Sequence, residues 1–277
     1  MLEVMFLAVL GLVWIGFASI QDLKKTEIAN WLSFSLVIFA LGFRFFWSLF
    51  EAKSFMFFYQ GLIGLGIFFI IGNLLYYGRM FAGGDAKLMI ALGAVLPFSS
   101  AFFINLKIFV WFFILFLFVG AFYGIIWSLF LMSKNFKNFK KEFAKKFKEN
   151  RKFIFLIMFW GLVFMISGVI DILFFTLGIM LFILPIFYLY AKAVDEACMI
   201  REVKGKDLME GDWLYEDVKI GGKIIKKNWE GLSKDEIKLL RNKIVKIRHG
   251  IPFIPVFLIS FILLLIVWFS GMIFSLF

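Results

Sequence analysis

The sequence predicts an all-α polytopic membrane protein of about eight transmembrane helices (six to eight), with a small cytoplasmic α+β domain before the last helix. Three observations carry this reading. Hydrophobic residues make up 63% of the 277, and 42 residues are Phe; a soluble core of this length cannot conceal that much apolar surface. The apolar residues gather in windows close to the 20 or so that cross a bilayer as a helix. Finally, the Lys and Arg residues sit in alternate gaps between those windows, the pattern that orients membrane proteins with positive loops inside.

Residues 4–20 form the first window and read as an anchor, since no cleavage-site pattern follows. The polar loop Gln21-Asp22-Leu23-Lys24-Lys25-Thr26-Glu27 leads to a second span at 31–50, and Glu51-Ala52-Lys53 turns the chain. The third span, 55–77, carries Gly61, Gly64, Gly66 and Gly72 as a small-residue stripe for close helix packing. A loop then runs to Asp85. The next apolar stretch, 86–98, is short for a span and implies a locally thin or water-filled part of the bundle. Residues 104–132 are long enough to tilt. The 38 residues of 153–190 are too long for one helix across about 30 Å, and Gly168-Val169-Ile170-Asp171 supplies the turn of a two-span hairpin. Residues 253–276 make the last span. The chain therefore divides into a membrane region with both candidate aspartates (1–132), a basic cytoplasmic loop (133–152), a transmembrane hairpin (153–190), a small cytoplasmic domain (191–250) and a final helix (251–277).

Counting charges tests this topology. With eight spans, the segments 21–29, 78–85, 133–152 and 191–250 share one side. They hold two, one, nine and fourteen basic residues, and with the adjacent Lys87 they account for 27 of the 30. That side is the cytoplasm. The net charge of +11 then speaks for anionic headgroups as partners rather than nucleic acid. Cys198 and His249 are each alone, which rules out a disulfide, a Cys-based zinc site, HExxH metal chemistry and a Ser-His dyad. No cofactor or metal is expected.

The stretch Met80-Phe81-Ala82-Gly83-Gly84-Asp85-Ala86-Lys87-Leu88 is the strongest candidate for chemistry. It sets a carboxylate behind two glycines at the mouth of an apolar segment, where a charge costs roughly 2.5–3.5 kcal/mol. The glycines permit close backbone approach or a turn with positive φ. Asp85 also suits the N-cap of an ordinary helix start, where Asp is favoured. Asp22, in an equivalent place at the cytoplasmic end of another span, pairs the two as candidate catalytic groups. Carboxylates about 3 Å apart share a proton, so one serves as general base on water and the other as general acid toward a peptide carbonyl.

These stretches resemble the archaeal branch of the type IV prepilin peptidases, GxGD-type membrane aspartyl proteases that include the preflagellin (archaellin) peptidases. Asp22-Leu23-Lys24 leading to Ile28-Ala29-Asn30-Trp31-Leu32 is similar to the family's first aspartate and its Ile/Val-Pro-Asn-x-Leu. Gly83-Gly84-Asp85-Ala86-Lys87-Leu88 resembles the second aspartate motif with its trailing lysine. Ile251-Pro252-Phe253-Ile254-Pro255 is similar to the family's Pro-Phe-x-Pro entry into the last helix. Residues 222–233 also resemble the small domain preceding that helix. The sequence departs from the pattern at Ala82, in place of the first glycine, and at Ala29, in place of proline; both put loop geometry in question. The cysteine-tetrad module and methyltransferase region of the bacterial branch have no counterpart. The resemblance implies catalytic Asp22 and Asp85, supported by Gly83, Gly84, Lys87, Asn30, Pro252, Phe253 and Pro255. It implies removal of a short basic leader from type IV pilin-like or archaellin precursors, at the cytoplasmic face of the cell membrane. The extra spans in 104–190 lean toward a member serving archaeal pili.

Two other functions stay open. A presenilin-like protease would cut within the bilayer, with Pro252 and Pro255 as nearest analogue of its Pro-Ala-Leu motif. A proton-coupled transporter or assembly scaffold would use the aspartates as carriers, with Asp171 as the remaining intramembrane acid. In the small domain, eight acids between Asp195 and Asp217 face Arg201, Lys204 and Lys206, either guiding a basic leader or forming a solvated face. Val218 to Ile225 reads as a β-hairpin around Gly221-Gly222. Ser233-Lys234-Asp235-Glu236 reads as a capping box opening a basic helix with Ile237, Leu240, Ile244 and Ile247 on one face, lying along the membrane.

Overall fold

The computed structural model describes residues 2–51, 54–220, 223–228 and 231–271. Gly221-Gly222, Trp229-Glu230, Ala52-Lys53 and the last span beyond Gly271 lie outside the described residues. The chain is a polytopic helical membrane protein with a small sheet region, in two units: 1–124 with 251–277, and 125–250. Among the described residues, six helices are long and apolar enough to cross a membrane.

The first unit is built from α1 (Leu2–Lys25), α2 (Asn30–Phe50), α3 (Met56–Tyr77), α4 (Gly83–Val95), the first two-thirds of α5 (Phe102–Lys134) and α9 (Ile254–Phe269). Its core gathers Leu7, Ile15, Leu36, Phe68, Phe112, Phe257 and Phe261, all fully buried. The short stretch after Asp85 is α4, and its brevity has a simple cause. From Ala86 to Val95 nearly every residue is buried, so this helix is wrapped by protein on all sides and has no lipid thickness to match. The stripe expected on α3 does the wrapping. A methyl on Gly64 would run into the Gly93 carbonyl, and one on Gly72 would stand 2.8 Å from the Ile90 side chain. Gly66 meets nothing and takes no part.

The second unit contains the end of α5, then α6 (Phe136–Ser167) and α7 (Ile172–Cys198) as an antiparallel hairpin turning at 168–171. Gly161 and Gly178 let the two backbones touch. Asp171 begins α7 as its N-cap, Oδ1 accepting from the Leu173 N–H at 2.9 Å. The basic run expected as a loop is helical from Phe136 onward. Lys, Arg, Glu and Ala are all good helix formers, and no Gly or Pro interrupts them. Glu142–Lys145 and Lys146–Glu149 pair along the surface, while Phe139 buries against Ala193, Val194 and Cys198.

Beyond α7 lies a three-stranded antiparallel sheet in the order β1 (Ile200–Lys204), β5 (Ile244–Arg248), β2 (Trp213–Leu214). A separate hairpin joins β3 (Val218–Ile220) to β4 (Lys223–Ile225). The capping box is present: Ser233 Oγ accepts from the Glu236 N–H and Glu236 answers the Ser233 N–H. The long basic helix is not, because α8 stops at Leu240 (Lys234–Leu240). Ile244-Val245-Lys246-Ile247-Arg248 alternates with period two, with Val245 and Ile247 buried and Ile244 exposed. Its β-branched residues pair with β1 instead of continuing a helix. The acids of 195–217 are largely engaged at home. Asp195 meets Arg248 at 3.1 Å, Glu196 accepts from the Tyr215 hydroxyl, and Glu210 and Glu216 pair with Lys234 and Lys246.

Candidate active site

Asp22 sits one turn before the end of α1. The helix stops because Thr26 takes a left-handed φ of 53° and donates its N–H to the Asp22 carbonyl. The Asp22 carboxylate is buried and its Oδ2 accepts from the Ile254 N–H at 2.8 Å; the Phe253 N–H acts on the same group. Ile254 is the first residue of α9, and helix starts leave backbone donors without internal partners. Pro252 and Pro255 have no N–H to offer. The donors left between them belong to Phe253 and Ile254, and both serve Asp22. The Pro-Phe-x-Pro entry is thus a cradle for a carboxylate from another helix.

Asp85 occupies the third position of α4. Its Oδ2 accepts from the Ala82 N–H at 3.2 Å, so Asp85 is not the N-cap, a place that Ala82 takes; it stands three residues on and closes the helix end from inside. Asp22 acts electrostatically on Asp85. The segments that brace the two carboxylates also pack on each other. Phe81, just before Ala82, lies with its ring centroid 6.2 Å from that of Phe253 and 6.0 Å from that of Phe257. Phe116 of α5 closes this cluster, 4.7 Å from Phe257. Lys87, one position beyond Ala86, donates to Asn30 Oδ1 at 2.7 Å. Asp22, Asp85, Asn30, Lys87 and Phe253 thereby come to one end of the helices that carry them.

Neither Gly83 nor Gly84 has positive φ, so the turn expected of them is absent. Gly84 instead admits Ile28, whose side chain would stand 3.4 Å from a Cβ there. The two departures from the family pattern are accommodated. Ala29 has φ −64°, the value a proline ring imposes, and its extra N–H donates to Gln21 Oε1 at 3.2 Å. Ala82 is extended, φ −71°, and needs no glycine. Sequence reasoning missed Gln21, the Ile254 N–H, the Phe81 and Phe116 rings and Arg44. Only Arg44 had a signal, a lone cation inside an apolar span. Among the described residues no group of His, Cys, Asp and Glu is arranged to hold a metal ion.

Residues 9–129 match the profile of the type IV leader peptidase family. A preflagellin peptidase of Methanococcus voltae is 32% identical over 148 residues, 50% of this chain and 61% of that protein. A preflagellin peptidase of Methanocaldococcus jannaschii is 33% identical over 89 residues, 32% of this chain and 37% of the relative. The chain thus spans less than two-thirds of the length of these curated relatives. No solved structure matches. Residues 9–129, the stretch that carries both aspartates, are thus similar to the type IV leader peptidase family.

Proposed function

We propose that this protein is a membrane aspartyl endopeptidase that removes the short basic leader from type IV pilin-like or archaellin precursors at the cytoplasmic membrane surface. The observation that carries the reading is the arrangement of Asp22 and Asp85. Each has one oxygen held by a backbone N–H, and the charge of Asp22 acts on Asp85. One of the pair, ionised, takes a proton from water as the oxygen attacks the scissile carbonyl carbon. The other, protonated, gives its proton to the carbonyl oxygen, forming a tetrahedral diol. Collapse re-forms the carbonyl and breaks the C–N bond, and the proton taken from water passes to the departing amine. Apolar surroundings strengthen every such interaction by excluding water.

The placement of the aspartates at helix ends supports cutting at a membrane surface over cutting within the bilayer. The charge count supports the cytoplasmic surface, and the basic helical run of 134–152 supports contact with anionic headgroups. Asp171, the acid on which a transport reading would lean, is engaged as a helix cap.

Co-expression with a pilin-like or archaellin precursor tests the proposal, the leader's loss being read as a gel shift. Wild type cleaves; Asp22→Asn and Asp85→Asn accumulate to normal levels and do not; Asp171→Asn cleaves normally. Processing at near wild-type rate by either catalytic-site variant would sink the aspartyl mechanism.

A further inference from the structure

We propose that Arg44 is a positioning residue for Asp85, holding the far end of α4 so that the carboxylate at its near end stands where the reaction needs it. The inference rests on the peptidase reading above. Arg44 lies two-thirds of the way along α2, fully buried, and among the described residues it forms no ion pair. Four hydrogen bonds run from its five N–H donors, every one to a backbone carbonyl oxygen. Nε donates to Ala94 at 2.8 Å, Nη1 to Phe57 at 3.1 Å, and Nη2 to Val95 at 3.2 Å and to Pro97. The Phe57 ring lies 4.4 Å from the guanidinium carbon. Gly61 makes the room, since a Cβ there would stand 2.5 Å from Arg44 Cδ.

Ala94 and Val95 end α4 and Pro97 follows its C-cap, where carbonyls lose their helical partners and partial negative charge collects. The short helix therefore carries a carboxylate at its positive end and a guanidinium at its negative end. Asn30 and Arg44 belong to the same helix, fourteen residues or about 21 Å apart along α2. Asn30 ties α2 to Lys87 at the start of α4, and Arg44 ties it at the finish. A helix of 13 residues takes no axial position from bilayer thickness, which needs about 20. Its position comes from contacts, and these two ties fix it lengthwise against one neighbour. The Gly64–Gly93 and Gly72–Ile90 approaches fix its distance from α3 but face sideways.

The test uses full-length protein in lipid nanodiscs as wild type, Arg44→Lys and Arg44→Gln. Precursor cleavage gives kcat and KM separately, and thermal melting gives the folded state. A second readout needs no activity: the rate at which maleimide labels Asp85→Cys, in a Cys198→Ser background, with and without each Arg44 substitution. Expected is a fall in kcat of about tenfold or more with KM within about threefold, because small misplacements of a reacting group cost about a hundredfold. Arg44→Gln falls further than Arg44→Lys, and labelling of Cys at 85 changes in both. Unchanged kcat and unchanged labelling in a folded Arg44→Gln protein would overturn the proposal. So would a loss of kcat and KM in step with the melting temperature, or failure of both variants to fold, either of which makes Arg44 a folding residue only. If wild type cleaves no precursor, the peptidase reading fails by itself and the labelling rates still decide whether Arg44 sets the position of residue 85.

Discussion

The two units solve the problem of packing helices in different ways. In the first, α1 buries 44% of its apolar window inside the protein, and the interior admits Arg44, Gln60, Asn105 and Asp22. Asn105 donates to Gln60 Oε1 at 2.9 Å and its own Oδ1 accepts from the Ser99 N–H. In the second, α6 buries 11% of its window and α7 17%; the hairpin meets along one seam and presents its other faces outward. A polar group inside a bilayer protein is costly unless fully partnered. A unit that holds several such groups gains fixed geometry, and the first unit is the one that carries the proposed catalytic pair.

The sharpest way to break this comparison is to thicken the backbone contact in each unit. Gly93→Leu drives a side chain into the Gly64 backbone and the base of Phe68. Backbone cannot yield as a flexible side chain can, and overpacking costs about 1–3 kcal/mol or more. Leader cleavage is expected to vanish and the melting temperature to fall. Gly161→Leu also collides with backbone, its Cβ 2.8 Å from the Phe182 nitrogen of α7, yet cleavage per folded molecule should stay near wild type. Comparable loss of cleavage in both would show that the hairpin shapes the site.

Asn30→Ala is the next largest. It removes the acceptor of Lys87 while leaving both carboxylates braced. A hydrogen bond of this kind is worth about 0.5–1.5 kcal/mol, so kcat should drop several-fold with the melting temperature nearly unchanged. Asn30→Asp should restore most of it by keeping an acceptor oxygen.

Ser233→Ala probes the small domain. Losing the capping box costs about 1 kcal/mol, seen as faster amide exchange across α8 with cleavage unaffected. The smallest effect is a pH slope. Burial and the charge of Arg201 hold His249 below the ordinary imidazole range, against the pull of Asp212. As pH falls through about 6.5 the unfolded chain takes up a proton that the folded domain resists. This contribution to stability is present above that range and lost below it. Burial raises Asp212, with the opposite slope, partly offset by the Met209 N–H and His249. Amide protection in β5 should weaken from neutral to mildly acidic pH, and His249→Gln should flatten the trend. An unchanged slope in that variant would assign the effect elsewhere.

The membrane architecture was legible because a run of apolar residues has one affordable structure in lipid. The helical spans and the hairpin turn at Asp171 follow from length and from a residue that caps. The motif stretches pointed to Asp22 and Asp85 but not to what holds them. The Ile254 N–H is backbone, and no sequence pattern reveals where a backbone donor points. The helix expected through Ile247 failed because Ile237, Leu240, Ile244 and Ile247 satisfy helical spacing while 244–248 also satisfies strand spacing. The β-branched residues and the partner β1, distant in sequence, decided for the strand. Arg44 was visible as an oddity in an apolar span, yet its partners are carbonyls, which carry no residue identity.

The bond from Ile254 to Asp22 closes a loop of 232 residues, and that gives the molecule a history as well as a shape. Asp22 leaves the ribosome 232 residues ahead of the Ile254 N–H that holds it. At about 5–20 residues per second, the carboxylate waits on the order of ten seconds or longer beside a partner that does not yet exist. During that interval the aspartate lacks the donors that hold its oxygen in place. A chain halted between residues 130 and 253 has the whole matched region and both acids, but not the Ile254 donor that braces Asp22. On the proposed aspartyl mechanism, the arrival of α9 is therefore the step of synthesis that completes the bracing of Asp22.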